Sequence, residues 1–367
     1  MDNILLILHY PPPIHGAAII GQYINESQII NSKFNNSYLK LGTANSLDEI
    51  GRKSIAKFFR YFILIKNTIY SIITFKPQLV YMTLTAKGSG FYKDALIATI
   101  VKIFKCKIVY HFHNKGVSVK QDRWFDNLLY KLVFKNADVI LLSNHLYDDI
   151  RKYLAIDRVH ICPNGIPPIA IEKYQKYRDF NNDPVRILFL SNLMKDKGVF
   201  ELLEACKILK DRHIYFMCNI VGAAGDILVK ELQAKIKEYG IEQYINYLGP
   251  KYNDEKIKSL ASANIFVFPS LEDCFPLVLL EAMQASLPII STVEGGIPDI
   301  VEDGVNGFLV NKGNVIDLAD KIEVLIKDGG LREKLGEAGR KRYLENFTLD
   351  HFEKRFVGIL DSIRLKN

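Results

Sequence analysis

Residues 268–283 read Phe268-Pro-Ser-Leu-Glu-Asp-Cys-Phe-Pro-Leu-Val-Leu-Leu-Glu-Ala-Met283. The stretch opens as the end of an apolar strand, Ile265 to Phe268, and breaks at Pro269 and Ser270. It passes two adjacent acids, Glu272 and Asp273, and enters a helix at Pro276. Proline suits a first helical turn, where an N–H would have no intrahelical partner. The N–H groups that remain there face the loop carrying the two acids. Glu281 follows inside an otherwise apolar helix, eight positions after Asp273. One carboxylate ahead of the helix, one within it and an anion-seeking helix start can address a single molecule. A sugar attached to a diphosphate offers hydroxyls to the acids and phosphate to the N–H groups.

The text that follows is Leu287-Pro-Ile-Ile-Ser-Thr292, Gly295-Gly-Ile-Pro-Asp-Ile-Val301, Asp303-Gly304 and Asn306-Gly-Phe-Leu-Val310. Taken in order with the opening stretch, it resembles the E-x7-E region of family 4 retaining glycosyltransferases, whose text runs near P-S-x-x-E-G-F-G/P-L-x-x-x-E-A-M. The first acid of the pair then falls on Asp273 and the second on Glu281. The resemblance implies the GT-B fold, two Rossmann-like parallel-sheet domains facing a central cleft. It implies transfer of a hexose from a nucleotide-diphosphate sugar to an acceptor hydroxyl with retention. Asp273 would hold sugar hydroxyls, Glu281 the two ribose hydroxyls, and the helix start near Phe275, Pro276 and Leu277 the diphosphate.

Working outward, strand text alternates with helix text on both sides. Before the decisive stretch come Asn3–Tyr10, a helix from Ala17 to Ser27, and Leu79–Thr83. Then come a helix at Phe91–Phe104, Lys107–His113, a helix at Trp124–Lys135, Val139–Ser143, a helix at Leu146–Leu154 and Arg158–Cys162. After a polar, proline-flanked linker, Pro167–Pro184, the alternation restarts at Arg186–Leu193 and runs through Tyr215–Val221, Ile245–Leu248 and Pro288–Thr292 with intervening helices. Such alternation builds right-handed βαβ units on a parallel sheet. The expected division is a first domain over 1–168, a second over 184–348, and a last helix at 349–367 that can cross back to the first. A chain of 367 residues is long enough for two cores of this size.

Ligands of open parallel sheets sit beyond the C-terminal strand ends. The residues there are His9, Tyr10, Thr83, Thr85, His111, His113 and Ser143 in the first half. In the second they are Ser191, Asn192, Gly222, Gly249, Ser270 and Ser291. In Ser191-Asn-Leu-Met-Lys-Asp-Lys-Gly198 a lysine precedes a helix and can stand beside a diphosphate, or be a solvated turn lysine. The family's G-R-L-x-x-x-K-G assigns Lys197 to the diphosphate and puts Asn192 where its arginine stands. Asparagine can hydrogen-bond a phosphate but brings no charge. His111 and His113 share a strand face. Two ligands alone make a poor metal site, and the resemblance assigns His113 to the sugar and leaves His111 structural. Gly16, in Pro13-Ile-His-Gly16, can let backbone approach a phosphate or acceptor, or simply make a turn. Gly222-Ala-Ala-Gly225 can cradle a nucleotide. No D-x-D pair is present, so no metal is expected, and no cofactor beyond the nucleotide sugar as donor substrate.

The formal charge of +7 is mildly basic. It gives a solubility margin and is compatible with phosphate-bearing substrates or an anionic membrane surface. No nucleic-acid partner is expected. Five cysteines lie far apart, without a C-x-x-C pair, which points to a reducing cytoplasm. The start of the chain lacks the basic and apolar text of a secretory signal. Arg52 to Lys76 is basic and aromatic on a helical pattern, either a domain helix with solvated lysines or a helix lying on anionic lipid at the inner face of the cytoplasmic membrane. The expected acceptor is a glycan or lipid-linked sugar, as in bacterial surface polysaccharide or lipopolysaccharide synthesis. Two other readings share this text: a sugar-nucleotide epimerase of the same fold, and a catalytically silent nucleotide-sugar-binding partner of another transferase.

Overall fold

A computed structural model describes residues 1–42, 55–177 and 184–365, leaving aside the side chains of 56, 57 and 175–177. Arg52 and Lys53, which open the basic stretch, therefore lie outside the described residues, as do residues 178–183 of the expected linker. The chain forms two α/β units. The first is Met1–Asn164 with Leu349–Asn367, and the second is Gly165–Thr348.

The first unit runs β1 (Asn3–Leu8), α1 (Gly16–Glu26), α2 (Gln28–Lys33), β2 (Asn35–Lys40), α3 (Ile55–Phe75), β3 (Leu79–Thr83), α4 (Gly88–Ile103), β4 (Lys107–His111), α5 (Val117–Lys120), α6 (Trp124–Phe134), β5 (Asp138–Leu141) and β6 (Val159–Ile161). Its six strands lie parallel in the order β2-β1-β3-β4-β5-β6. β1 and β3 are unbroken apolar runs buried on both faces, as covered parallel strands require. β2 sits at the sheet edge with polar text, Asn-Asn-Ser-Tyr-Leu-Lys, and half-buried side chains. That is why it did not stand out in the sequence. The expected helix at Leu146–Leu154 is only a 3₁₀ segment, Asn144–Asp149. Its Asp149 carboxylate turns instead to the start of α5, accepting from the N–H groups of Gly116, Val117 and Ser118 at 2.8–3.1 Å.

The second unit runs β7 (Val185–Leu190), α7 (Val199–Asp211), β8 (Phe216–Val221), α8 (Val229–Tyr239), β9 (Ile245–Tyr247), α9 (Asn253–Ala261), β10 (Ile265–Phe268), α10 (Leu277–Gln284), β11 (Ile289–Thr292), α11 (Ile297–Ile300), β12 (Gly307–Val310), α12 (Val315–Lys327) and α13 (Gly329–Asn346). Its parallel order is β12-β11-β10-β7-β8-β9. Much of the polar segment taken as linker is tied to this unit. Ile169 N–H donates to the Gln284 side chain at 2.7 Å, which donates back to the Pro167 carbonyl at 3.0 Å, and Glu172 pairs with Arg340 at 2.9 Å.

After α13 the chain returns to the first unit as α14 (Leu349–Leu365). α14 packs on α2 and buries Phe352, Phe356, Leu360 and Ile363. Phe356 meets the buried ring of Tyr81 edge-on at 5.1 Å, and Arg364 pairs with Asp2 at 2.7 Å.

Candidate functional site

In the second unit the chain leaves β7 for β8 on one side and later forms β10 on the other. Loops leaving the C-terminal ends of β7 and β10 therefore diverge, which makes a binding crevice of this sheet type. Residues 191–198 follow β7 and residues 269–276 follow β10. A single carbonyl clips the two loops together. Asp196 O accepts from Leu271 N at 2.8 Å, Glu272 N at 3.1 Å and Ser270 Oγ at 3.0 Å. Gly198 makes the approach possible. It has φ +78°, and a Cβ there would lie 2.0 Å from the Pro269 carbonyl oxygen. No side chain fits that gap.

The clip delivers Lys197 to the second loop. Its ammonium donates to Asp273 Oδ2 at 2.7 Å and to the Glu272 backbone carbonyl at 3.0 Å. Asp273 Oδ1 accepts from Cys274 N at 2.8 Å, so the carboxylate is held at both oxygens. An ammonium has three donors, and two are engaged here. The third can meet an anion without dismantling the arrangement. Behind the loop, the Asp273 N–H points to Glu294 Oε1 at 3.4 Å, and Glu294 pairs with Lys312 at 2.6 Å.

α10 begins at Leu277, one residue later than the sequence suggested, because Pro276 keeps extended ψ of 119° and stands as the cap without a side-chain cap bond. The first N–H groups of the helix, on Leu277 and Val278, have no intrahelical acceptor by the geometry of a helix start. Phe275 is a core residue, its ring 5.9 Å from Phe347, so its backbone is what the loop can offer. Glu281 is mostly buried on α10. Its Oε1 takes Lys256 of α9 at 2.6 Å, while Oε2 is buried with no hydrogen-bond partner among the described residues. An ionised oxygen in that state is costly unless something else donates to it.

Asn192 and Gly222 meet at the ends of β7 and β8. Asn192 Oδ1 accepts from Ala223 N at 3.3 Å, and a Cβ on Gly222 would lie 1.8 Å from the Ser191 carbonyl oxygen. Gly222 is thus needed for close passage of two backbones. Its own carbonyl accepts from Tyr247 Oη at 2.9 Å.

His113 and Gly16 lie in the first unit. β4 ends at His111, and His113 stands two residues beyond. His111 is fully buried and bonded to Tyr81 Oη at 2.8 Å, which fits a structural residue. The rings of His111 and His113 lie 4.1 Å apart, and His9 faces His15 at 5.7 Å. His15 Nδ1 caps α1 by accepting from Ala18 N at 3.3 Å. Gly16 is the first residue of that helix, and a Cβ there would meet no described residue within 4 Å.

Burial lowers His113 to about 3, with His9 and His15 adding repulsion. Burial also lowers His9 to about 3, helped by Lys93, His15 and Lys40. Both rings are neutral near pH 7 and can donate and accept. Their folded pKa lies below the unfolded value, so between pH 6.5 and about 3 the unfolded chain binds protons that the folded unit refuses. Stability should decline as pH falls through that window, with a limiting slope of about 1.4 kcal/mol per pH unit for each ring. Urea midpoints measured from pH 7 to pH 4 should fall less steeply for His113→Gln than for the parent. Equal slopes would show that the ring protonates freely in the folded unit.

Sequence reasoning passed over Lys256, Glu294 and Asp196. Lys256 lies on a polar helix with no local signal, and Asp196 acts through its carbonyl, which no side-chain pattern reveals. Glu294 precedes the Gly295-Gly296 pair that carried the resemblance, and that adjacency was the available signal.

Residues 170–342 match the family described as glycosyl transferases group 1. The capsular polysaccharide biosynthesis glycosyltransferase CapM of Staphylococcus aureus is 28% identical over 303 residues, covering 77% of this chain and 77% of that protein. The amylovoran biosynthesis glycosyltransferase AmsK of Erwinia amylovora is 30% identical over 230 residues, which is 60% of this chain and 55% of AmsK. Among solved structures, Anabaena HepE in complex with UDP and glucose superposes with a TM-score of 0.73 at 18% identity. The match covers 99% of this chain and all of that one.

Proposed function

We propose that the chain, whose residues 170–342 match the family described as glycosyl transferases group 1, moves a hexose from a nucleotide-diphosphate sugar to an acceptor hydroxyl with retention. The observation that carries this reading is the clip between the β7 and β10 loops, which sets the Lys197 ammonium on Asp273, in the loop that leads into α10. In the transfer, the acceptor oxygen bonds to the anomeric carbon as the bond from that carbon to the diphosphate breaks. The electron pair leaves with the diphosphate. With attack and departure on one face, a diphosphate oxygen takes the acceptor's proton. The residues then position the reactants and stabilise charge on the leaving group. Lys197 and the N–H groups of Leu277 and Val278 meet the diphosphate, with Asn192 as a neutral donor beside them. Asp273 takes sugar hydroxyls. Glu281 accepts from the ribose diol, which would supply the partner its Oε2 lacks.

No metal is assigned a part. The names of CapM and AmsK support an acceptor in surface polysaccharide synthesis, either a glycan or a lipid-linked sugar. With a lipid-linked acceptor, the Arg52–Lys66 stretch is the point of peripheral contact with anionic membrane on the cytoplasmic side.

The test is a melting-temperature screen against UDP-, GDP- and ADP-sugars, followed by product analysis with and without acceptor. UDP-glucose comes first, because HepE was solved with UDP and glucose. Stabilisation by one donor and acceptor-dependent release of its nucleotide are expected. An isomerised sugar nucleotide without acceptor would mark an epimerase, and stabilisation without turnover across a broad acceptor panel would mark a silent binder. A narrower result concerns Glu281. Glu281→Gln should weaken binding of the nucleotide diphosphate about tenfold in calorimetry, since a charged acceptor of two hydroxyls becomes a neutral amide. Unchanged affinity would remove Glu281 from the nucleotide site.

A further inference from the structure

α3 is apolar on two sides. Leu64, Thr68 and Ile72 form its buried stripe, while Phe58 and Phe62 point outward with 68% and 64% of their surface exposed. A second, exposed apolar stripe of this size marks a surface that meets a partner. Its neighbours continue the outer stripe. Right-handed crossovers put α3, α4 and α6 on one face of the first sheet, because β2 to β3, β3 to β4 and β4 to β5 all step the same way. Tyr61 of α3 donates to the Lys93 carbonyl of α4 at 2.8 Å. Tyr92 of α4 donates to Asp126 of α6 at 2.9 Å and meets the Phe125 ring at 5.7 Å. Leu96 is exposed on α4, and Trp124 and Leu128, one turn apart, on α6, with Trp124 78% exposed.

The stretch of sequence that carries these three helices is one-sided in charge. Residues 51–135 hold 16 Lys and Arg against 3 Asp, a net +13 in a chain of +7, so all other residues together carry −6. Two of the three acids, Asp94 and Asp126, are buried, which leaves Asp122 as the exposed one. A second copy of the chain would bring the same sign against itself, whereas an anionic surface complements it. Aromatic side chains beside lysines suit the boundary between lipid headgroups and acyl chains.

We infer that the outer faces of α3, α4 and α6 together form a docking surface for an anionic lipid bilayer, with Trp124 of α6 entering the headgroup boundary. This enlarges the contact proposed for Arg52–Lys66 from one helix to three, and it does not depend on the donor chemistry.

Trp124 is the chain's only tryptophan, so its fluorescence reports on this face. The full chain is mixed with vesicles of equal phosphatidylglycerol and phosphatidylcholine, some with brominated acyl chains, and with pure phosphatidylcholine vesicles. On the anionic vesicles the emission should shift to shorter wavelength, be quenched by bromine, and revert at high salt. Phe62→Ser and Leu128→Ser should each weaken the vesicle partition about tenfold, while the melting-temperature response to nucleotide sugar stays as in the parent. Flotation with anionic vesicles but no change at Trp124 would limit the contact to α3 and overturn the three-helix surface. A shift without vesicles that follows protein concentration, with doubled mass in sedimentation, would make the face a self-association surface and overturn the lipid assignment. No flotation and no shift would overturn both lipid readings and leave the donor site untouched.

Discussion

Lys197→Ala is expected to lower kcat about 100-fold or more, the usual effect of deleting one preorganised group that faces developing charge. The protein should remain folded. Lys197 and Asp273 are both partly solvated, so losing the pair should cost stability of about 1–2 kcal/mol, between the values for surface and buried pairs. The loss of rate has two parts. The leaving diphosphate loses a cation, and the Asp273 carboxylate is left near it without its partner. For that reason Lys197→Ala and Asp273→Asn should be strongly non-additive, the double variant being little worse than Lys197→Ala alone. Steady-state kinetics of the three proteins, with melting temperatures beside them, measure this. Near-normal kcat in Lys197→Ala would reduce Lys197 to a loop clasp.

The second large effect separates the two adjacent acids. Asp273→Ala should lower kcat by about 100-fold or more, because it removes a sugar contact and releases Lys197 together. Asp273→Glu should lose less. The added methylene lengthens the side chain by roughly 1.5 Å, and the 2.7 Å contact to Lys197 leaves no room for it without movement. Glu272→Gln should stay within a few-fold of the parent, because what Lys197 takes from Glu272 is the backbone carbonyl. An active, less stable Asp273→Ala together with an inactive Glu272→Gln would exchange their roles.

Much of this was legible in the sequence for physical reasons. Both parallel sheets follow from buried apolar runs separated by helices, and β1, β3, β7 and β10 carry that signature plainly. β2 was not legible, since an edge strand need not be apolar. Lys197 and Asp273, 76 positions apart, became a pair only once β7 and β10 were known to be neighbours. The sequence marked both as candidates through family text, but it contains no term for the Asp196 carbonyl that draws their loops together. Glu281 was expected to face a ligand. The lysine holding one of its oxygens comes from α9, whose pattern is that of an ordinary solvated helix.

The return of α14 to the first unit bears on the order in which the molecule can be made. The second unit is continuous, Gly165–Thr348, and all its strands are available once that segment is synthesised. The first unit begins earlier but lacks α14, so Tyr81 lacks its Phe356 contact until residues 349–365 emerge. Units of larger chains fold as their segments appear during synthesis. The part translated first is therefore the part finished last, and until then it presents the apolar surface that Phe352, Phe356, Leu360 and Ile363 later cover.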